Sequence, residues 1–276
     1  MGDKTKIDWA DATWNPVTGC WHECGYCYAR RIAERFTYEG QALDAPCELQ
    51  RVWIQDAAGL EPGLYVLRYE VRLQDNGRVC PYPFGFAPTF HKYRLDIPKR
   101  WTKPRTIFVC SMADLFGEWV PDKWIKEVFD ACRKAPQHRY LFLTKNPQRY
   151  IDLRNQGVLP RWNEAHNMWF GSTTTKKQDK VFGDSLAYNT FMSIEPILEP
   201  FDNLGDRACI VDWIIVGAET GNRKWKITPE KGWITEIAEG CRRTNTPIFM
   251  KESLREIMGP DFVQEFPWVD EKEANH

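Results

Sequence analysis

Apolar residues along this chain come in short runs of four to six, separated by longer stretches with helical spacing. Seven runs read as strands: part of Thr13–Thr18, then residues 105–110, 139–145, 168–173, 190–195, 212–219 and 246–251. Helical periodicity appears in Tyr28–Phe36, where Ala29, Ile32, Ala33 and Phe36 share a face. It returns in 121–135, with Pro121 suited to a first turn, in a short piece ending near Leu153, in the charged stretch up to Tyr188, and in 229–244. Strands alternating with helices predict a parallel sheet whose crossovers are right-handed. The strands are nearly continuous apolar runs, which suits a sheet covered on both faces. Seven strands are fewer than a closed eight-stranded barrel needs. The predicted fold is therefore α/β, an open-sided partial barrel, with a doubly wound open sheet as the alternative. In either, functional groups collect where strands end.

One region departs from the alternation. Between about residues 40 and 100 the chain is irregular, and "LYVLRYEVRLQDNGRVC" alternates apolar and polar residues around Asn76-Gly77, a hairpin signal. An inserted β-ribbon is expected there, within a single domain spanning residues 1–276.

Composition narrows the class. A hydrophobic fraction of 43% and a charged fraction of 27% fit a globular protein with a real core. No apolar run is long enough for a membrane span, and the first residues lack a signal core, so no membrane partner and a cytoplasmic location are expected. The formal net charge of −1 shows no overall basic excess of the kind nucleic-acid binders carry.

Nine cysteines, an odd number without a signal sequence, favour a metal or redox role over a disulfide framework. Six are scattered: Cys47, Cys80, Cys110, Cys132, Cys209 and Cys241. Three crowd into "GCWHECGYC": Cys20, Cys24 and Cys27. Thiolates bind iron–sulfur clusters and soft metals. Three ligands on a four-iron cluster leave one iron open to a small chelating molecule, and Gly19 and Gly25 give the loop freedom to wrap it. A zinc site would need a fourth ligand, for which His22 lies at an unusual spacing. A thioredoxin-like Cys24–Cys27 pair would leave Cys20 unexplained.

Cys-x3-Cys-x2-Cys, with Tyr26 just before the last cysteine and a helix just after it, resembles the signature of the radical SAM superfamily. The resemblance implies a partial (β/α)6 TIM-like barrel, a [4Fe–4S] cluster on Cys20, Cys24 and Cys27, and S-adenosylmethionine (SAM) on the open iron. It also implies reductive cleavage to a 5′-deoxyadenosyl radical and a reductant such as flavodoxin or ferredoxin. The segments "KIDWADATWNPVTGC", "RLDIPKRWTKPRTIFVCSMADLFGEWVPD", "LFLTKNPQR", "WFGST", "SIEP" and "DWIIVGAETG" are similar to a narrower family, phage-associated and radical-SAM-like, of unknown function. That phage association points to a nucleotide or nucleic-acid base as substrate, without excluding another small molecule.

Strand ends supply the remaining candidates. The resemblance makes Tyr26 a cofactor contact and puts the SAM amino group near Ser111 or Asp114, in place of the usual Gly-Gly-Glu; Asp114 equally suits a turn. Ser172, Thr173 and Thr174 are candidates for the SAM carboxylate or ribose, or a helix cap. Ser193 joins them as a cofactor contact. Lys145, Glu195 and Glu219 are the catalytic candidates, with Lys251 as a further cation for an anionic group. Gly217 and Gly221 suggest close backbone approach to a ligand. Trp9, Trp14 and Trp21 are expected to shield the cysteine loop. A non-catalytic binding protein stabilised by zinc or a cluster is the competing expectation. A repair enzyme resembling spore photoproduct lyase is a third, weakened by the absent basic excess.

Overall fold

Parallel strands joined by helices and turns account for most of the regular structure, so the protein is mixed α/β. The computed structural model describes residues 5–37, 43–44, 63–74, 76–201, 204, 208–221 and 224–268. Cys47 and much of the insertion lie outside them. The chain divides into two compact units, Ala10–Phe142 with Met1–Thr5, and Leu143–His276 with Lys6–Trp9.

The first unit holds β1 (Ala12–Trp14), β2 (Val17–Thr18), α1 (Tyr28–Arg35), β3 (Leu43–Asp44), β4 (Tyr65–Leu67), β5 (Arg72–Leu73) and β6 (Thr89–His91). It continues with α2 (Ile97–Arg100), β7 (Thr106–Val109) and α3 (Asp122–Arg133), and β8 (Arg139–Thr144) follows. β1 pairs in parallel with β7, and β7 with β8. α3 buries Trp124, Ile125, Val128 and Phe129 along one stripe, and Phe129 meets Phe142 edge to face at 5.4 Å. Pro121 is the N-cap of α3, one position before the predicted first turn.

The second unit holds α4 (Gln148–Asn155), β9 (Met168–Thr174), β10 (Asn189–Ile194), β11 (Trp213–Val216), α5 (Lys231–Thr244), β12 (Ile248–Met250) and α6 (Arg255–Met258). β9, β10, β11 and β12 pair in parallel in chain order. One face of these strands, with Met192, Ile194, Ile214, Val216, Ile248 and Met250, packs with Ile234, Ile237 and Cys241 of α5. Each such buried aliphatic side chain contributes roughly 1.5–3 kcal/mol. The opposite face carries Phe191, Trp213 and Phe249, which meet at 5.8 and 6.1 Å. Both faces are apolar, which is why the strands read as unbroken runs. β1, β7 and β8 lie side by side in that order in the first unit.

Three expectations need correction. The weak first strand is two short ones, β1 and β2, which belong to different sheets. The predicted β-ribbon is split: β4 pairs with β6, and β6 with β2, while β5 pairs with β3. The exposed polar stretch Arg68–Glu70 breaks the ribbon. Only its far end closes as a hairpin, with Cys80 N–H donating to Val71 O at 2.8 Å and Gly77 at φ +65°. The helix expected up to Tyr188 does not form. Its carboxylate Asp179 instead accepts from the backbone N–H groups of Thr175 and Lys176, holding a turn there.

Among the described residues no helix is long and apolar enough to cross a membrane.

Candidate functional site

The cysteine loop is fastened at both sides before any ligand is considered. Gly19 N–H donates to Met112 O at 2.9 Å, and Cys20 N–H donates to Phe86 O at 3.1 Å. Gly19 has φ +86°, and a Cβ there would lie 2.2 Å from Ala87 O, so only glycine fits. A Cβ at Gly25 would meet nothing within 4 Å. The freedom expected of both glycines is therefore needed at Gly19 alone.

From this clamp the loop turns at Glu23, whose φ is +53°, and closes with Cys27 N–H donating to Cys24 O at 3.0 Å. Cys27 then caps α1: its Sγ accepts from Arg30 N–H at 3.4 Å. Cys20 Sγ likewise accepts from His22 N–H at 3.5 Å. The Cys20 thiol is pushed up to about 12, mainly by burial, with Asp114, Cys24 and Cys27 adding negative charge nearby. Burial therefore favours the neutral Cys20 thiol, whereas a metal bound to it would deprotonate it. Among the described residues, no three or more His, Cys, Asp or Glu side chains are gathered around one point as a single ion requires.

Around the loop sit residues from the end of β7. Asp114 is 6% exposed. Its Oδ1 accepts from Phe116 N–H at 3.0 Å, the turn-forming role weighed for it, and its Oδ2 pairs with His22 Nε2 at 2.8 Å. His22 in turn stands edge-on to Trp119 at 4.9 Å, and Trp21 tilts against the same ring at 5.6 Å. Gly117 makes room for Trp119, since a Cβ there would lie 2.4 Å from the indole. Ser111 Oγ donates to Asn15 Oδ1 at 3.2 Å, Met112 N–H donates to the same oxygen at 3.0 Å, and Tyr28 OH donates to Ser111 O at 2.6 Å. Tyr26 is half-buried. A buried polar chain backs this region. Arg94 donates to Asn15 O at 3.0 Å, and the fully buried His91 bonds Thr18 Oγ1 at 2.8 Å. Burial, helped by the Arg94 charge, pushes the His91 imidazole well below its ordinary value.

Of the three tryptophans expected at the loop, Trp21 is there. Trp14 is buried core and donates its indole N–H to Arg94 O at 2.8 Å. Trp9 belongs to the second unit, against Phe191 and Trp213 at 6.4 and 6.5 Å.

The second unit holds the other strand-end candidates. In register, Ser193 lies beside Thr173 and Ile215, so these side chains share a face with Phe191 and Trp213. Ser193 Oγ is fully buried with no hydrogen-bond partner among the described residues. Ser172 points to the other face and accepts from Phe182 N–H at 2.9 Å; Thr174 shares that face. One position beyond the strands, Glu195 and Lys251 form a partly buried ion pair. The pair lies across Gly217, where a Cβ would be 2.8 Å from Lys251 Cδ and 3.4 Å from Glu195 Cδ. Close approach at Gly217 is thus to this ion pair. Glu219 is buried and Lys145 half-buried, each just past its strand.

Sequence reasoning missed Asn15, Trp119 and the partnership of His22 with Asp114. Asn15 directly follows β1, so the strand-end rule applied to the weakest strand would have found it. The Glu195–Lys251 pairing had no local signal, because 56 residues separate its members.

No curated protein and no solved structure matches this chain. A family profile described as "Protein of unknown function (DUF5131)" matches residues 4–255, so the chain belongs to that family.

Proposed function

We propose that this protein holds a [4Fe–4S] cluster on Cys20, Cys24 and Cys27 and uses it to cleave SAM reductively. The observation that carries the proposal is the clamped loop, which holds three part-buried thiols, Cys20, Cys24 and Cys27, ahead of α1. The donor set fits the group. Thiolates are the ligands of iron–sulfur clusters, and a cuboidal cluster spaces them at separate corners rather than around one ion. The histidine in the loop is held by Asp114 through Nε2, so Cys20, Cys24 and Cys27 are the residues that would hold the cluster. When bound, the cluster supplies the electron that breaks a sulfur–carbon bond of SAM and yields a 5′-deoxyadenosyl radical.

The chain's own residues do the rest. The His22 N–H donates to Cys20 Sγ, which favours its thiolate form, and the Arg30 N–H donates to Cys27 Sγ. Trp21 and Trp119 lean on each other beside the loop. Asn15 fixes Ser111 and Met112 at the end of β7, where Ser111 presents a hydroxyl for the SAM amino group. Asp114, already bonded twice, positions His22. We read the parallel strands as those of an incomplete barrel of the (β/α)6 kind and place the protein in the cytoplasm, where thiols stay reduced. The substrate class is a nucleotide or nucleic-acid base.

The test is anaerobic reconstitution with iron and sulfide, then electron paramagnetic resonance of the reduced protein with and without SAM. A four-iron signal that changes on adding SAM, with 5′-deoxyadenosine released, is expected. A protein that binds one zinc and assembles no cluster would instead support a structural metal site.

A further inference from the structure

The net charge of −1 conceals a local excess of positive charge in the second unit. Between β11 and α5, residues 221–228 read "GNRKWKIT", with Arg223, Lys224 and Lys226 and no acid. Lys224, Trp225, Lys226, Ile227 and Thr228 are exposed, and the buried Pro229 closes the loop ahead of α5. Trp225 is 77% exposed, more than any other described tryptophan, although this side chain is on average well buried. The Lys224 ammonium lies 5.4 Å from its ring centroid, which holds positive charge at the ring. A second basic loop stands at the same end of the strands. It follows β9, which is separated from β11 by β10 alone, so the roots of the two loops are roughly 10 Å apart. It exposes Lys176, Lys177 and Lys180. The acids at this end are engaged. Asp179 accepts from the backbone of Thr175 and Lys176, and Glu199 from the Lys177 N–H. Glu195 is paired with Lys251 and Glu252 with Arg255, and Glu219 is buried.

We propose that these two loops bind a single-stranded nucleic acid, a proposal that rests on the substrate class given above and narrows it from a free nucleotide to a strand. Trp225 stacks on a base, and Lys224 and Lys226 meet the phosphates beside it. Lys176, Lys177 and Lys180 continue the phosphate track on the far side of β10. Every base has a face to stack, so the surface holds a strand without reading its sequence. A duplex keeps its bases stacked on one another and offers Trp225 none.

The test measures binding to the full-length reconstituted protein by fluorescence anisotropy. The probes are end-labelled oligothymidylate and oligouridylate of about 16 nucleotides, and a duplex of the same length. The variants are Trp225→Ala, Trp225→Phe and the double Lys224→Ala/Lys226→Ala, all at exposed positions where Tm should not move. The wild type is expected to bind the strands at low salt, and the duplex about tenfold more weakly. Trp225→Ala should weaken strand binding about tenfold or more, and Trp225→Phe should keep most of it. The double lysine variant should also weaken it and make the slope of log affinity against log salt shallower by about 1.4, whereas Trp225→Ala leaves that slope unchanged. Binding of the DNA strand alone or the RNA strand alone would keep the surface and name its sugar. Strand affinity unaltered in Trp225→Ala, or equal affinity for strand and duplex, would overturn the proposal. Binding to phosphatidylglycerol vesicles but to no strand, lost in the same variants, would make the loops a membrane contact and overturn it too. Iron content and the response to SAM are read on the same samples. Strand binding by a protein that assembles no cluster would remove the cluster and leave this surface standing; a SAM-responsive cluster with no strand binding would do the reverse.

Discussion

Replacing Gly19 by alanine tests the clamp on the cysteine loop. The new Cβ would sit 2.2 Å from Ala87 O, 2.4 Å from the Ala87 carbonyl carbon and 2.7 Å from Phe86 O. All three are backbone atoms, so no flexible side chain can swing away. The two segments must part by about 1 Å or more to restore ordinary contact. That movement weakens the Cys20 N–H to Phe86 O bond, which contributes about 1 kcal/mol. The left-handed backbone at φ +86° adds about 1–2 kcal/mol for any residue with a Cβ. The expected loss is about 2–4 kcal/mol, or on the order of 10 °C in Tm. Gly25→Ala is the internal control. It lies in the same loop, meets nothing within 4 Å, and is expected to be neutral or slightly stabilising. Urea and thermal unfolding read both variants, and iron content after reconstitution reads the loop itself. Equal stability of the two variants would refute the claim that residues 86–87 press on the loop.

Three more outcomes are expected. His91 is depressed well below its ordinary value, so the unfolded chain binds a proton that the folded chain refuses; stability should be full above about pH 6.5 and fall as pH drops below it. His91→Gln should flatten that acid limb in pH-dependent unfolding, and an unaltered limb would assign the loss to other groups. His22→Ala removes one partner of the mostly buried Asp114 carboxylate beside Cys20; a cost of about 1–2 kcal/mol and a lower iron yield are expected, with iron yield equal to wild type counting against a positioning role. Lys251→Met leaves Glu195 unpaired, at a cost of about 1–3 kcal/mol. The double variant Glu195→Gln/Lys251→Met should recover part of the loss, and strictly additive single costs in a double-mutant cycle would show that the pair does not interact.

The strand pattern was legible because burial on both faces writes unbroken apolar runs, as in Thr106–Val109 and Trp213–Val216. α1 was legible to within a residue of its end, since Ala29 and Ala33 mark its inner side. Expectation failed where chain connectivity is non-local. Nothing near Tyr65 says that β4 will pair with β6 rather than fold back on β5. The segment after β9 has the charges of a surface helix, yet Asp179 finds the backbone of Thr175 first. The three cysteines and the strand-end positions were legible from spacing and order alone. Their partners were not: Asn15 with Ser111, His22 with Asp114 and Glu195 with Lys251 are separated by 96, 92 and 56 residues. A contact over such distances leaves no periodic trace in one sequence.

Cys27 caps α1 and is also a ligand of the proposed cluster, and this makes the start of α1 a gauge. The helix has eight residues, too few to be stable in water without tertiary help, and its first amide bond of this kind ends on the Cys27 sulfur. A thiolate engaged by iron is a different acceptor from a neutral thiol. The hydrogen-exchange rate of the Arg30 amide should therefore report whether the loop is loaded, before any turnover is measured.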